Sequence, residues 1–190
     1  MSIKGTRTEQ NLLKAFAGES QARNRYTYFA SVARKKGFEQ IGAIFAETAD
    51  NEREHAQVFF NYLEGGPVEI TAMYPAGKTG TTAENLEAAA AGEKEEWTIL
   101  YPDFAGIAKE EGFADVAESF QEISEVEEQH ERRYRKLLAN VNAGQVFTRK
   151  EPVLWHCRNC GYIHEGTSAP DKCPACKHAR AYYELWAETY

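Results

Sequence analysis

Two short stretches, Glu52-Arg53-Glu54-His55 and Glu127-Glu128-Gln129-His130, decide the fold of this chain. Each is a Glu-x-x-His motif inside a helical pattern of apolar residues. Residues i and i+3 of a helix share one face, so each motif presents a carboxylate beside an imidazole. The motifs lie 75 residues apart, and a helix with a glutamate of its own precedes each of them. Together they predict a site for two metal ions inside a helix bundle.

The bundle sequence is an internal repeat that contains one irregularity. Tyr26 matches Tyr101 at the same offset of 75 residues that relates the two motifs. In contrast, Ala17-Gly18-Glu19 matches Ala91-Gly92-Glu93 at an offset of 74. The third helix therefore carries one extra residue between Glu93 and Tyr101. A π-bulge accommodates an extra residue within a helix and is frequent at functional sites, so we predict one there.

Four long helices account for most of the chain before residue 143. Capping-box signatures, Thr6-x-x-Glu9 and Thr81-x-x-Glu84, begin the first and third helices. Residues 67–80 contain two prolines and two glycines and are predicted to form a long connection between the second and third helices. This order predicts an all-α four-helix bundle with one long crossover. The predicted helices end at about Lys36, Leu63, Glu111 and Asn142.

Six residues match the ligand set of di-iron and di-manganese carboxylate bundles, which take one glutamate from each of two helices and Glu-x-x-His from each of the others. Carboxylates can bridge and neutralise two cations, while imidazoles favour iron over magnesium or calcium. The alternative is a solvated helix surface in a chain with 29 acidic residues, and the repetition of the whole set weighs against it. The predicted ligands are Glu19, Glu52, His55, Glu93, Glu127 and His130.

Three further residues are predicted to act at this site. Glu96 shares the helix face of Glu93, and its repeat partner is Ala22, so we predict a seventh ligand that serves one metal or one oxidation state only. Tyr26 and Tyr101 lie about two turns from the single glutamates of their own helices. They are predicted to donate hydrogen bonds to ligand carboxylates. The simpler alternatives are an exposed glutamate and two core-packing tyrosines.

All four cysteines lie near the C-terminus as two Cys-x-x-Cys pairs. Four thiolates in this arrangement suit zinc or a single iron ion. Cys-x-x-Cys-Gly-Tyr followed by Cys-Pro-x-Cys looks like rubredoxin, but a zinc ribbon uses much the same knuckles, so spacing alone leaves the metal open. We predict a bundle over 1–146, a linker over 147–151 and a metal-binding β domain over 152–190. The ligands are Cys157, Cys160, Cys173 and Cys176.

Composition excludes several other classes of function. The net charge of −7 argues against nucleic-acid partners and anionic membrane surfaces. No apolar run approaches about 20 residues, and the first ten residues are polar, so neither a membrane span nor a secretory signal is predicted. Cysteine pairs in a chain without an export signal favour metal over disulfides, and a cytoplasmic location is expected.

With both sites in place, the whole chain resembles the rubrerythrin family, in which a ferritin-like di-iron bundle is fused to a C-terminal rubredoxin domain. No ligand position departs from the family pattern. The resemblance implies iron rather than zinc in the small domain, although zinc can substitute. The matching residues are Ala17-Gly18-Glu19-Ser20-Gln21-Ala22-Arg23-Asn24-Arg25-Tyr26, Glu52-x-x-His55, Glu93-x-x-Glu96, Glu127-x-x-His130 and the four cysteines.

The resemblance also implies an activity, which is reduction of hydrogen peroxide to water in oxidative-stress defence. A separate NAD(P)H-linked reductase or small electron carrier would deliver electrons through Fe(Cys)₄ to the di-iron site. One iron would move between His55 and Glu96 as the site changes oxidation state. Tyr26, Tyr101 or water would supply protons. A head-to-tail homodimer is expected, because the last bundle helix carries the small domain about 18 Å beyond His130.

Two other functions compete with the peroxidase. A ferroxidase or iron-handling protein uses the same bundle site, but it takes electrons from its own substrate and needs no redox domain. A zinc-loaded structural or interaction protein would use both sites only to stabilise the fold. Six or seven ligands arranged for two cations weigh against that second alternative.

Overall fold

A helical hairpin of α1 (Arg7–Lys35) and α2 (Glu39–Asn61) begins the bundle in the computed structural model, which describes residues 1–189. The Thr6 hydroxyl accepts a hydrogen bond from the Glu9 N–H at 3.0 Å and caps α1. Gly37 ends that helix with φ +82°, and the Phe38 N–H reaches back to the Ala33 carbonyl at 2.9 Å. This is the Schellman ending that glycine permits, and Gly112 repeats it in the second half with φ +85°.

The second half of the bundle contains α3 (Thr82–Glu95), a π-helical segment (Glu96–Leu100), α4 (Tyr101–Glu110) and α5 (Ala114–Asn142). Both halves of the predicted capping box form at the start of α3. Residues 62–81 connect α2 to α3 without a helix or strand. The bundle therefore has the predicted long crossover. Separately, no helix within residues 1–189 is long and apolar enough to cross a membrane.

The extra residue of the repeat is accommodated as predicted. The Tyr101 N–H donates to the Glu96 carbonyl five residues earlier, which is the hydrogen bond of a π-helix. Pro102 follows in the first turn of α4 and has no N–H to donate to the carbonyls of the preceding turn. The predicted third helix is therefore two α-helices joined by one wider turn, and that turn contains Glu96.

Two aromatic clusters fill the bundle on either side of the predicted metal ligands. Tyr26 belongs to the first cluster and Tyr101 to the second, and both side chains are at most 2% exposed. Such clusters bury large apolar areas and supply most of the stability of the bundle. The largest other members are Phe29, Phe45, Leu86 and Tyr134 in the first cluster, and Leu12, Phe59, Phe104 and Phe120 in the second.

The small domain is a three-stranded antiparallel sheet with the order β2-β1-β3, built from β1 (Thr148–Cys157), β2 (Ile163–Ser168) and β3 (Tyr183–Leu185). The predicted linker over 147–151 is therefore wrong for residues 148–151. Thr148 already pairs with Ser168, and an irregularity before Val153 keeps the intervening residues, including a proline, out of the regular ladder.

The small domain packs against the turn between α1 and α2. The Phe38 and Phe147 rings stack with centroids 6.1 Å apart, and Ala181 approaches Gly37 closely enough that a Cβ there would lie 3.6 Å away. Glu52 lies 15 positions after Gly37, nearly all of them in α2, which is about 22 Å along the axis. The cysteine-bearing domain therefore lies at the end of its own bundle, away from the glutamate cluster.

Deletion of Ile99 tests the π-helical segment. This side chain is 61% exposed, so little packing is lost directly. Removing one residue restores the regular offset of the repeat and rotates Tyr101 by about 100°, out of its buried position. We expect the free energy of unfolding to fall by about 3–5 kcal/mol, as for truncation of a buried aromatic residue. Ile99→Ala, measured by the same denaturant titration, should change stability by less than about 1 kcal/mol, and equal effects would contradict the assignment.

Candidate metal centres

The two Glu-x-x-His motifs meet at the centre of the bundle. They face each other from α2 and α5, and the single glutamates of α1 and α3 complete the set. Within each of two groups, the ligand atoms all lie within 4.8 Å of one another. Glu52 and Glu127 belong to both groups, as expected of carboxylates that bridge two cations. The groups are Glu19, Glu52, His55 and Glu127, and Glu52, Glu93, Glu127 and His130.

The ligand atoms are close together but do not satisfy one another. His55 Nδ1 lies 2.9 Å from an oxygen of Glu52 and 2.9 Å from an oxygen of Glu127. His130 Nδ1 lies 2.8 Å from the other Glu127 oxygen. The Nδ1 atoms of His55 and His130 are buried, and so are both carboxylate oxygens of Glu52 and of Glu127. None of these six atoms forms a well-directed hydrogen bond. Buried polar atoms without partners are costly, so this arrangement fits cations at two shared centres.

The buried carboxylates of the cluster also favour positive charge among them. Burial raises the pKa of Glu19 and Glu93 well above the ordinary value, and neighbouring glutamates raise it further. Burial opposes protonation of the histidines, yet the adjacent carboxylates raise the pKa of His55 to about 10 and that of His130 to about 12. Burial likewise opposes ionisation of Glu127, but the two imidazoliums lower its pKa to about 2. Protons on the imidazoles thus take the place of metal charge.

The two tyrosines donate to ligand carboxylates across the bundle. The Tyr26 hydroxyl donates to Glu93 at 2.5 Å, and the Tyr101 hydroxyl donates to Glu19. The predicted hydrogen bonds therefore form, and each tyrosine serves the glutamate of the other half rather than that of its own helix. Burial, with the nearby carboxylates, raises the pKa of both hydroxyls, so they remain protonated donors.

Glu96 lies beside the two four-residue groups but belongs to neither. Its side chain is half-buried, and burial together with Glu93 and Glu127 raises its pKa. The other predicted site residues meet in the cluster. Glu96 lies near enough to Glu93 and Glu127 to interact with their charges, and its role as a seventh ligand stays a prediction.

Sequence reasoning missed the residues that hold the π-helical segment in place. The Trp97 indole N–H donates to Glu131 of α5 at 2.8 Å, and the Ser124 hydroxyl donates to the Trp97 carbonyl at 3.2 Å. These contacts tie the backbone next to Glu96 to the helix that carries Glu127. A tryptophan inside the inserted stretch was the available signal, but its partners lie 27 and 34 residues away.

The four cysteines form the second centre. Their sulphur atoms all lie within 4.8 Å of one another, with Cys157 and Cys176 3.8 Å apart and Cys160 and Cys173 3.6 Å apart. All four thiols are free. Four sulphurs around one point fit a tetrahedral Fe(Cys)₄ or zinc site.

The two cysteine knuckles share one backbone device. The residue after the second cysteine of each pair has a positive φ, +81° at Gly161 and +65° at Lys177. The next N–H, from Tyr162 or His178, then donates to the sulphur of that cysteine. Lys177 adopts this conformation without being glycine, which a sequence pattern does not reveal, and its ammonium group donates to the Pro174 carbonyl at 2.5 Å.

Fold and sites together define a ferritin-like bundle with a two-metal carboxylate site, joined to a small domain with a tetrathiolate metal site. The family model described as rubrerythrin matches residues 10–138, and that of the rubrerythrin rubredoxin-like domain matches residues 155–184. The chain belongs to the rubrerythrin family. Its bundle site is the di-iron site of that family, and the four-cysteine site is that of a rubredoxin-like domain.

Individual relatives agree with this assignment. The chain is 60% identical to a rubrerythrin of Porphyromonas gingivalis, covering 100% of this chain and 94% of the relative. It is 56% identical to a rubrerythrin of Nitratidesulfovibrio vulgaris, covering 97% and 96%. Among solved structures, partially reduced nigerythrin has a TM-score of 0.65 at 29% identity, covering 97% of this chain and 91% of that one. These similarities support an iron-dependent oxidoreductase.

Metal-free protein should lose stability as pH rises. The pKa values of Glu19, Glu93 and Glu96 are raised in the folded state, so their contribution is fully present below the unfolded value of 4.5 and is lost as pH rises. The raised histidine pKa values act in the same direction between 6.5 and about 10–12. We expect the Tm of chelated protein to fall from pH 5 to pH 9, by about 2–4 °C per kcal/mol lost.

A matched pair of variants separates the buried acids from general charge effects. Glu19→Gln mimics the protonated acid and should flatten the decline, whereas Glu118→Gln on the exposed face of α5 should leave it unchanged. Iron-loaded protein should not show the decline, because metal binding requires the deprotonated ligands. A Tm of the chelated wild type that rises steadily to pH 9 would contradict the electrostatic account.

Tyr183 is expected to tune the potential of the four-cysteine centre. Its side chain is 1% exposed, and its hydroxyl meets no nitrogen or oxygen partner in residues 1–189 but faces the Cys173 sulphur. A hydrogen bond to a thiolate ligand stabilises the reduced, more negative centre. Tyr183→Phe should therefore shift the reduction potential of the iron-loaded centre to more negative values in spectroelectrochemical titration. Tyr162→Phe is the control, and equal potentials in all three proteins would contradict the assignment.

Proposed function

We propose that the protein is a non-haem di-iron peroxidase that reduces hydrogen peroxide to water in oxidative-stress defence. Electrons come from a separate NAD(P)H-linked reductase or small carrier by way of the four-cysteine centre. The observation that carries the proposal is the presence of two redox-capable centres in one chain, one of them rich in carboxylates and the other in thiolates. A protein that only stores iron has no use for the second centre.

The carboxylates and imidazoles of the cluster would bind the two iron ions, and the side chains around them orient these ligands. The bridging pair Glu52 and Glu127, with the terminal ligands, would hold two iron ions, which when bound supply the electrons for peroxide reduction. The aromatic clusters on both sides exclude bulk water from the ligands. Tyr26 and Tyr101 orient Glu93 and Glu19 by hydrogen bonds, so these carboxylates keep one geometry while charge changes nearby.

Glu96 and His55 are proposed to serve as alternative ligands in the two oxidation states. His55 lies among the carboxylates, and its side chain is only 12% exposed. Glu96 lies at the edge of the cluster, on the π-helical turn. A carboxylate favours the ferric ion and an imidazole suits the ferrous ion. Protons for the cleaved O–O bond are proposed to pass through the Tyr26 or Tyr101 hydroxyl, which lie beside Glu96.

Assembly as a head-to-tail homodimer is part of the proposal. The small domain packs at the α1–α2 end of its own bundle, about 22 Å along α2 from Glu52. A partner chain running in the opposite direction would bring its cysteine centre close to the glutamate cluster of this one. The protein is proposed to work in the cytoplasm, with no nucleic-acid or membrane partner.

Rapid mixing of reduced protein with hydrogen peroxide tests the proposal. We expect the visible bands of the oxidised Fe(Cys)₄ centre to return rapidly in the wild type. Glu96→Ala should slow this return by about 100-fold or more, because the variant lacks the carboxylate that is proposed to hold iron in the oxidised state, and loss of one active-site group typically costs about that much. Glu118→Ala, an exposed glutamate of α5, is the control. Rapid oxidation of added ferrous iron by oxygen, together with no return of the Fe(Cys)₄ bands when peroxide is added, would favour the ferroxidase alternative.

A further inference from the structure

A cavity of about 270 Å³ adjoins the Glu96 side of the metal site. Helix α1 forms one wall, and the end of α3 with the π-helical turn forms the other. Residues 71–75 of the long crossover lie across the top as a roof. The cavity therefore lies between the glutamate cluster and solvent, on the side where the repeat symmetry of the bundle is broken.

The lining of the cavity combines polar and apolar groups. Glu96, Tyr26 and Tyr101 line it beside the metal ligands, because the two tyrosine hydroxyls donate to Glu93 and Glu19. The rest of the lining is largely apolar side chains and the glycines of α1 and α3, and its further polar members are Lys14, Gln21, Arg25, Thr71 and Glu95. Such a site fits a ligand with one polar end and an apolar body. The apolar wall residues are Ala15, Ala22, Leu100 and Phe104.

The roof is anchored rather than open. The Tyr74 hydroxyl donates to the Lys14 carbonyl at 2.8 Å, which ties the crossover to α1. The Tyr74 ring lies over Gly18, where a Cβ would be 3.6 Å from the ring and 4.0 Å from a Glu96 oxygen. The absence of a side chain at Gly18 thus leaves room for both groups, and the roof limits the length of any molecule that reaches Glu96.

The cavity is far larger than hydrogen peroxide requires. A volume of about 10–15 Å³ on this scale holds one water molecule, and an apolar cavity of about 150 Å³ holds benzene. Hydrogen peroxide has only two heavy atoms and no apolar surface. Most of the cavity therefore offers apolar contacts that this substrate cannot use, whereas a substituent of several carbons fills them.

We propose that the cavity binds the organic group of small alkyl hydroperoxides, and that this class is a second substrate of the same site. The inference rests on the proposed peroxidase function. The reaction is ROOH + 2 H⁺ + 2 e⁻ → ROH + H₂O, in which the O–O bond breaks. The electrons come from the reduced carrier protein that serves the peroxidase, and the hydroperoxide end lies at Glu96 with the alkyl group toward Tyr74.

Gly92 provides a variant that fills the cavity at a position that is not itself a proposed ligand. It lines the cavity on α3, and no atom lies within 4 Å of the position that its Cβ would take. Gly92→Leu should therefore be accommodated while it occupies the alkyl space. Gly106 of α4 is the matched control, because it is also helical and has equally open surroundings but does not line the cavity.

Binding is measured first, without turnover. Zinc-loaded protein, which is redox-inert, is titrated with methanol, ethanol, 1-propanol and 1-butanol while the Ala15 and Ala22 methyl signals are followed by NMR. Each added methylene should tighten binding by up to about fourfold, as expected for burial of one CH₂ group. Gly92→Leu should remove most of this gain and Gly106→Leu none of it. Equal affinities along the series, or equal effects of the two variants, would overturn the inference.

Turnover is measured next, with iron-loaded protein, a reduced donor, and hydrogen peroxide, ethyl hydroperoxide or tert-butyl hydroperoxide. We expect all three to be reduced, and Gly92→Leu to raise the KM of the alkyl hydroperoxides about tenfold or more while leaving hydrogen peroxide unchanged. Reduction of hydrogen peroxide alone would overturn this inference and leave the peroxidase standing. Reduction of none of the three would overturn both.

Discussion

The structure depends on the burial of carboxylates at the centre of a helix bundle. Glu19, Glu52, Glu93 and Glu127 are each at most 1% exposed, and their oxygens face one another. Such a concentration of negative charge in an apolar interior is strongly destabilising unless cations neutralise it. The neighbouring side chains reduce this cost. The imidazoles either carry a proton or bind a metal ion, and the Tyr26 and Tyr101 hydroxyls donate hydrogen bonds to Glu93 and Glu19.

The proposed function depends on the place where the two halves of the bundle differ. The repeat by itself builds a symmetric site in which each half supplies one single glutamate and one Glu-x-x-His motif. The inserted residue widens one turn, and that turn carries Glu96 and is held to α5 through Trp97. The same side contains the cavity beneath the Tyr74 roof. The proposed seventh ligand and the cavity proposed for the alkyl group thus occur together, at the one position where the symmetry is broken.

Local sequence patterns predicted the fold and the ligand set because these depend on short-range spacing. Helical periodicity, caps and glycine stops determine where helices begin and end, and the i, i+3 spacing puts each Glu beside its His. The change of repeat offset even located the π-helical turn. Patterns failed where tertiary contacts decide. They did not show that Tyr26 crosses to Glu93, that Trp97 reaches Glu131, or that the strand of the small domain begins at Thr148.

Two cations are expected to compensate the buried carboxylates. X-ray diffraction from crystals of protein grown with iron, using anomalous differences at the iron absorption edge, would locate these cations. We predict three iron peaks per chain, two flanked by Glu52 and Glu127 and one among the four cysteines. A single peak, confined to the cysteines, with Glu127 and His130 paired to each other in an ordinary hydrogen bond, would contradict it.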